Sequence, residues 1–326
     1  MNIGLIDMDK KPKGKPFPNL ALMKISAYHK SLGDSVEWYE PLKHVRKDII
    51  YISKIFTYKE DYLYPLNADK VIRGGTGYYI NRTLPKVIDR QYPDYSLYPE
   101  VDYAIGFLTR GCINKCSFCV VPKKEGAIRP YSSWERIKRP DSNEIVFMDN
   151  NVLASEYGIR QMQSMIGKDL VIDFNQGMDC MLVNDRIAEI ISRLHWKRQI
   201  RFSCDKEYQM PYLEKAINLL SKYGVKPYRI FVYVLGTTME STIKRVEFLR
   251  QLGVDPFVQP LRDLKTNAEP QKEMKRYANY VNKKAEFNSY KWEDYGKHKG
   301  TKTDPKQLNF MEEISYVESR PSTSEC

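Results

Sequence analysis

Long apolar runs are missing from this chain of 326 residues. The longest, residues 230–235, is the length of a strand and far short of the ~20 residues a membrane helix needs. Residues 1–13 run from apolar to basic, the reverse of a secretory leader, so a cytoplasmic location is expected. Acidic charge is in deficit, with 41 Asp and Glu against 52 Lys and Arg, a formal +11. Cysteine is sparse and uneven: there are six, and none precedes Cys112. Disulfides are rare in the cytosol, so these thiols raise the question of metal or redox chemistry first. The hydrophobic content of 42% and aromatic content of 12% suffice for a packed core, which excludes a disordered chain.

The length suggests two domains, and the pattern divides accordingly. Residues 1–82 alternate strand-like and helix-like stretches: 2–6, 49–52 and 70–72 as strands, with a helical stretch through Leu20, Met23, Ile25 and Ala27 ending near Gly33. This order predicts a small Rossmann-like α/β domain. Residues 83–100, with prolines and tyrosines in no clear period, read as a linker. From 101 to 265 a repeated beat appears, with strands at 103–108, 144–148, 170–174, 200–203, 230–235 and 256–258. Between the later strands, Ile187, Ile190, Ile191 and Leu194 follow a helical spacing after a cap at Asn184, and Ile243, Val246 and Leu249 follow one after Thr238. Leu213, Ala216, Ile217 and Leu220 do the same before Gly224. Six β-α units in series predict an open parallel (βα)6 partial TIM barrel. Residues 266–326 read as a helical extension over 266–288, then a polar tail interrupted only by 310–317.

The chemistry concentrates at Thr109-Arg-Gly-Cys-Ile-Asn-Lys-Cys-Ser-Phe-Cys-Val-Val-Pro122. Cys112, Cys116 and Cys119 on one loop can converge on a single metal centre, and thiolates are preferred ligands of zinc and iron–sulfur clusters. A closed zinc site takes four protein ligands, and no fourth cysteine or histidine lies nearby; His44 and His195 are the nearest histidines. Three ligands suit a centre that binds something else. The loop follows the first barrel strand, which puts it at the mouth where barrel enzymes work. The other strands deliver polar residues to the same rim: Asp149-Asn150-Asn151, Asn175-Gln176, Asp205, Gly236-Thr237-Thr238, and Gln259 with Arg262 and Asp263. A helix-capping turn accounts for Asn150 equally well. Lys123, Lys124 and Arg129 suit either an anion or a solvated loop. Cys180 and Cys204 read as small buried hydrophobes, and Cys326 as an inert terminal residue.

The CxxxCxφC spacing, with Phe118 as the aromatic before Cys119, resembles the radical S-adenosylmethionine enzymes over about residues 101–263. The resemblance implies that the three cysteines hold three irons of a [4Fe-4S] cluster. The amino and carboxylate groups of S-adenosylmethionine would chelate the fourth. One electron would then cleave the sulfonium C–S bond, and the resulting 5′-deoxyadenosyl radical would abstract hydrogen from a substrate. It further implies cofactor contacts for Phe118, Asn150, Asn175, Gln176, Asp205, Gly236, Thr237 and Gln259, and a reductant such as flavodoxin or ferredoxin as partner. The first domain resembles the cobalamin-binding domain found in some members. Their Asp-x-His-x-x-Gly motif is missing, since Asp7 and Asp9 have no matching histidine and His29 and His44 lack its surroundings, so cobalamin is not expected. Methylthiotransferase chemistry is disfavoured by the lack of cysteines before Cys112. Gly74-Gly75-Thr76-Gly77 lacks the full dinucleotide fingerprint and reads as a turn.

A nucleic acid is one candidate substrate. The alternative is an iron–sulfur or zinc protein that binds nucleic acid without radical chemistry, to which the +11 charge and the basic, aromatic stretch 277–299 lend support. No membrane association is expected.

Overall fold

The computed structural model describes residues 1–10, 16–43, 45–263 and 266–295. His44, the tail beyond residue 295 with its 310–317 stretch, and Cys326 lie outside the described residues. The described chain is a mixed α/β fold built on parallel sheets, none of which closes into a barrel. No described helix is long and apolar enough to cross a membrane.

The first sheet consists of β1 (Asn2–Asp7), β2 (Ser35–Trp38), β3 (Lys47–Ser53) and β4 (Ala68–Gly74), all parallel in the order β2-β1-β3-β4. Helix α1 (Leu20–Ser31) makes the first crossover. Asn19 caps it, its side chain accepting from the Leu22 N–H at 3.2 Å. The α1 residues Leu22, Met23 and Ile25 pack on Ile3 and Leu5. The same core takes in Ile88 from α2 (Lys86–Asp89), together with Leu97, Tyr98 and Val101. The stretch 83–100, aperiodic in sequence, is therefore tied to the first unit by burial. Tyr98 is fully buried and donates its hydroxyl to Asp7 at 2.7 Å. The glycines after β4 form a plain turn. Gly75 has φ +91°, and a Cβ there would lie 2.3 Å from the Lys54 carbonyl oxygen.

The second unit starts with β5 (Ala104–Gly106). Next comes an antiparallel hairpin of β6 (Thr109–Arg110) and β7 (Arg129–Pro130), whose loop contains the one-turn α3 (Val121–Lys124). A short α4 (Trp134–Ile137) leads to β8 (Glu144–Phe147), α5 (Glu156–Ser164) and β9 (Val171–Phe174). After β10 (Met178–Asp179), helix and strand alternate: α6 (Asp185–Arg193), β11 (Ile200–Ser203), α7 (Met210–Lys222), β12 (Ile230–Gly236), α8 (Met239–Gln251) and β13 (Asp255–Pro260). Two parallel sheets result, β5-β8-β9 and β10-β11-β12-β13. They meet where Arg201 of β11 forms a two-pronged ion pair with Asp173 of β9, both bonds 2.8 Å. One continuous core, from Ala104 to Tyr295, underlies both. Asn184 and Thr238 cap α6 and α8 as their spacing predicts.

The C-terminal helix is shorter than expected from the sequence. Residues 266–271 are not helical, and the run splits at Lys283 into α9 (Lys272–Asn282) and α10 (Lys284–Ser289). The split sits beside a side-chain contact with β13. The Asn282 amide accepts from the Val258 N–H at 2.8 Å and donates to the Val258 carbonyl at 3.0 Å. It thereby occupies the free edge of β13 as a strand partner would.

Candidate metal-binding loop and strand-end site

The three cysteines sit in the loop of the β6–β7 hairpin. Its base is closed by the Thr109–Pro130 and Arg110–Arg129 pairs and by the Cys112 N–H donating to the Gly126 carbonyl at 3.2 Å. Gly111 makes this closure possible. Its φ is +87°, and a Cβ there would fall 2.3 Å from the Ala127 carbonyl oxygen.

Among the described residues none of the three thiols is in a disulfide; Cys116 is exposed, and Cys112 and Cys119 are half-buried. Two of the sulfurs accept N–H groups. Cys112 Sγ accepts from the Asn114 backbone at 3.3 Å and from Asn151 Nδ2 at 3.6 Å, and Cys119 Sγ accepts from the Val121 backbone at 3.4 Å. Burial pushes the Cys119 thiol up, and the neighbouring charges of Cys112, Asp205 and Glu125 add to it. Desolvation also pushes Cys116 up, followed by Cys119, Cys112, Asp205 and Asp179. The loop, β10 and the end of β11 are thus electrostatic neighbours.

The tripeptide after β8 holds this loop at three separate points. Asp149 is buried and accepts from the Leu108 N–H at 3.0 Å, and from both the Thr109 N–H and hydroxyl at 2.6 Å. Burial raises its carboxyl to about 6, against the lowering effect of those three donors. Asn150 donates to Glu125 at 2.9 Å; Glu125 in turn accepts the Gly111 N–H at 2.8 Å and pairs with Arg110 at 2.7 Å. Asn151 is the residue that reaches the cysteines. Its amide nitrogen lies between Cys112 Sγ and Asp179, 3.3 Å from the latter, and its buried Oδ1 has no hydrogen-bond partner among the described residues.

Sequence reasoning missed Asp179 and Arg245. Asp179 accepts from Asn114 of the cysteine loop at 2.9 Å, fastening the loop to β10. Arg245 is fully buried on α8 and donates to the carbonyls of Cys204 at 2.8 Å, Leu235 at 2.9 Å and Ser241 at 3.1 Å. It ties the carboxyl ends of β11 and β12 together beneath Asp205. Asp205 accepts the Leu235 N–H at 3.1 Å, and burial raises its carboxyl. Phe118 is half-buried, with Lys206 Nζ 5.9 Å from its ring centre, which brings the loop beside the end of β11.

The remaining rim residues take simpler positions. The Asn175 carbonyl accepts the Tyr233 hydroxyl at 3.0 Å, and Gln176 is exposed on the turn before β10. Gly236 is packed so tightly that a Cβ would lie 2.6 Å from Met274 Sδ. Thr237 and Gln259 are exposed at the ends of β12 and β13. Lys124 donates to the Arg82 carbonyl, while Arg129 donates to the Glu125 carbonyl at 2.6 Å. Cys180 and Cys204 are buried, with Cys204 pushed up to about 12 by burial. His29 has both ring nitrogens engaged, with Asp34 at 2.7 Å and Tyr51 at 3.0 Å.

Among the described residues no three His, Cys, Asp or Glu side chains stand at metal-holding geometry. The donor set still fits an iron–sulfur cluster by its chemistry: three unbridged thiols on one closed loop, two of them already accepting N–H groups as cluster thiolates do. Neither the models of known protein families nor the curated proteins contain a match to this chain.

Proposed function

We propose that this protein is a radical S-adenosylmethionine enzyme, with Cys112, Cys116 and Cys119 as the ligands of a [4Fe-4S] cluster. The observation that carries the reading is the CxxxCxFC loop, closed at its base, between strands whose carboxyl ends carry polar side chains. In this reading the two parallel sheets are the halves of one open (βα)6 barrel, with the loop at its mouth. When bound, the cluster and S-adenosylmethionine supply one-electron cleavage of the cofactor and hydrogen-atom abstraction from a substrate.

The protein's own residues position that chemistry. Asp149 and Glu125 fix the two ends of the loop, and the N–H groups of Asn114, Val121 and Asn151 stabilise thiolate charge at Cys112 and Cys119. Phe118 shields the side next to β11. Asp205, Asn175, Gln176, Gly236, Thr237 and Gln259, at the strand ends, would hold the cofactor. A low-potential reductant of the flavodoxin or ferredoxin type supplies the electron, and unbridged thiols suit a reducing cytoplasm.

The test is electron paramagnetic resonance on anaerobically reconstituted, dithionite-reduced full chain, with and without S-adenosylmethionine. A [4Fe-4S]+ signal that changes shape with the cofactor, and vanishes when the three cysteines become alanine, is the expected result. A cluster indifferent to the cofactor, or bound zinc without iron, overturns the proposal in favour of a structural or electron-transfer centre.

A further inference from the structure

The base of the cysteine hairpin also forms one wall of a second feature, a cleft of about 920 Å³ between α1, α2 and the β5–β7–α4 region. Its floor is an assembled group. Lys24 is 7% exposed and donates to the Asp89 carboxylate at 2.9 Å and to the Tyr131 hydroxyl at 2.7 Å. Tyr131 in turn donates to Asp89 at 2.7 Å. These bonds hold the two units together around the cleft and neutralise its one inner carboxylate.

What remains on the walls is strongly basic. Lys86, Arg90, Arg129, Arg136 and Lys138 line the cleft against a single further acid, Glu135. Among the described residues, Lys86, Arg90, Arg136 and Lys138 form no ion pair, and Arg129 donates only to backbone carbonyls. Uncompensated cations gathered in a concave surface repel one another until a polyanion enters. The aromatic residues narrow the choice of polyanion. Tyr92 is exposed, and Phe107 lines the cleft half-buried, with the Arg110 guanidinium 3.9 Å from its ring centre and Tyr131 edge-on at 6.2 Å. Rings interleaved with cations match the stacking platforms of single-strand binding. A duplex is read by a protruding helix or ribbon, whereas this surface is concave and of the size of a ligand site.

We infer that the cleft binds a short stretch of single-stranded nucleic acid, with Arg90, Arg136 and Lys138 on its phosphates and Tyr92 and Phe107 against its bases. The strand then lies against the β6–β7 hairpin, because Arg129 belongs to both the cleft wall and the hairpin base. That a nucleotide is the substrate of the cysteine loop rests on the function proposed above; binding in the cleft does not.

The test is fluorescence anisotropy of the full chain with a labelled, mixed-sequence RNA of about 15 nucleotides, across a salt series. The triple variant R90E/R136E/K138E is compared with K168E/K215E/K272E, which alters three exposed lysines away from the cleft by the same charge. The cleft variant should bind at least tenfold more weakly and lose about 2 from the slope of log K against log salt, at roughly 0.7 per lost contact. The control should stay within threefold of the wild type. Equal losses in the two variants, or polyglutamate of matched charge binding as tightly as RNA, overturn the inference. The chain with Cys112, Cys116 and Cys119 replaced by alanine should retain RNA binding. Loss there with the cleft variant unaffected relocates the strand to the loop and overturns it too. A cofactor-responsive cluster without RNA binding removes this inference alone, and RNA binding without a cluster removes only the function above.

Discussion

Replacing Asp149 with asparagine should remove a specific pH dependence from the stability of the metal-free chain. The carboxylate lies buried against the Leu108 and Thr109 N–H groups and the Thr109 hydroxyl, and its value of about 6 stands well above the ordinary aspartate range. A raised value means that the native state holds the proton more tightly than the unfolded chain. The stability this contributes is complete below about pH 4, is lost as pH rises through about 6, and changes no further above about pH 7. Converted at 1.36 kcal/mol for each tenfold change, the loss is about 3 kcal/mol. Asparagine carries no charge to desolvate, but it turns one acceptor into a donor facing a buried N–H, which costs about 1–3 kcal/mol. Near pH 7 the two effects offset, and the variant should lie close to the wild type.

The assay is urea unfolding of both proteins at several pH values from about 4 to about 7. The wild-type curve alone is uninformative, because Asp89 and Asp94 are held low by their partners and lose stability as pH falls. The difference between wild type and D149N isolates the one group. It should favour the wild type by about 2 kcal/mol more at about pH 4 than near neutrality. A difference that stays flat over the range would refute the buried clasp between Asp149 and the strand entering the cysteine loop.

Arg245→Met should cost about 1–3 kcal/mol in urea unfolding, since it leaves the carbonyls of Cys204, Leu235 and Ser241 without their donor while relieving the cost of burying the charge; a variant as stable as the wild type contradicts the assigned bonds. Asn282→Ala exposes the Val258 N–H and carbonyl on the edge of β13 and should lower stability by about 1–3 kcal/mol, with faster amide hydrogen exchange at Val258 as the local readout. Gly111→Ala places a methyl group where the Ala127 carbonyl sits, so the hairpin base must open. Iron bound after reconstitution should fall severalfold while far-ultraviolet circular dichroism stays unchanged, and full iron content in that variant would show that the closed base is dispensable.

The sequence made the strands of the second unit readable because each is a short β-branched or aromatic run bounded by turn residues. Ile200–Ser203 keeps its expected limits, and the others move by a residue or two at either end. The elements it hid lack that signal. Ser35–Trp38 is a four-residue, half-exposed edge strand with only two apolar residues, and Met178–Asp179 is only two residues long. The end of the C-terminal helix was set by a side chain bonding to β13, which no helical periodicity encodes.

The cysteine loop itself was legible as local spacing, but its supports were not, because they are contacts between distant positions. Asp179 meets Asn114 across 65 residues, and Arg245 meets Cys204 across 41. The stretch Asp149–Asn151 could be singled out as a group, yet which member faces the sulfurs depends on how the chain turns as it leaves β8. Asp149 turns to the strand before the loop, Asn150 to Glu125 within it, and Asn151 to Cys112. A tripeptide read as one candidate contact is three separate ones, and each grips a different part of the hairpin. Arg110 extends the same grip outward, pairing with Glu125 on one side and covering Phe107 of the cleft on the other. The loop and the cleft therefore share one short β-hairpin as their common wall, so a change at Thr109 or Arg110 should be felt in both.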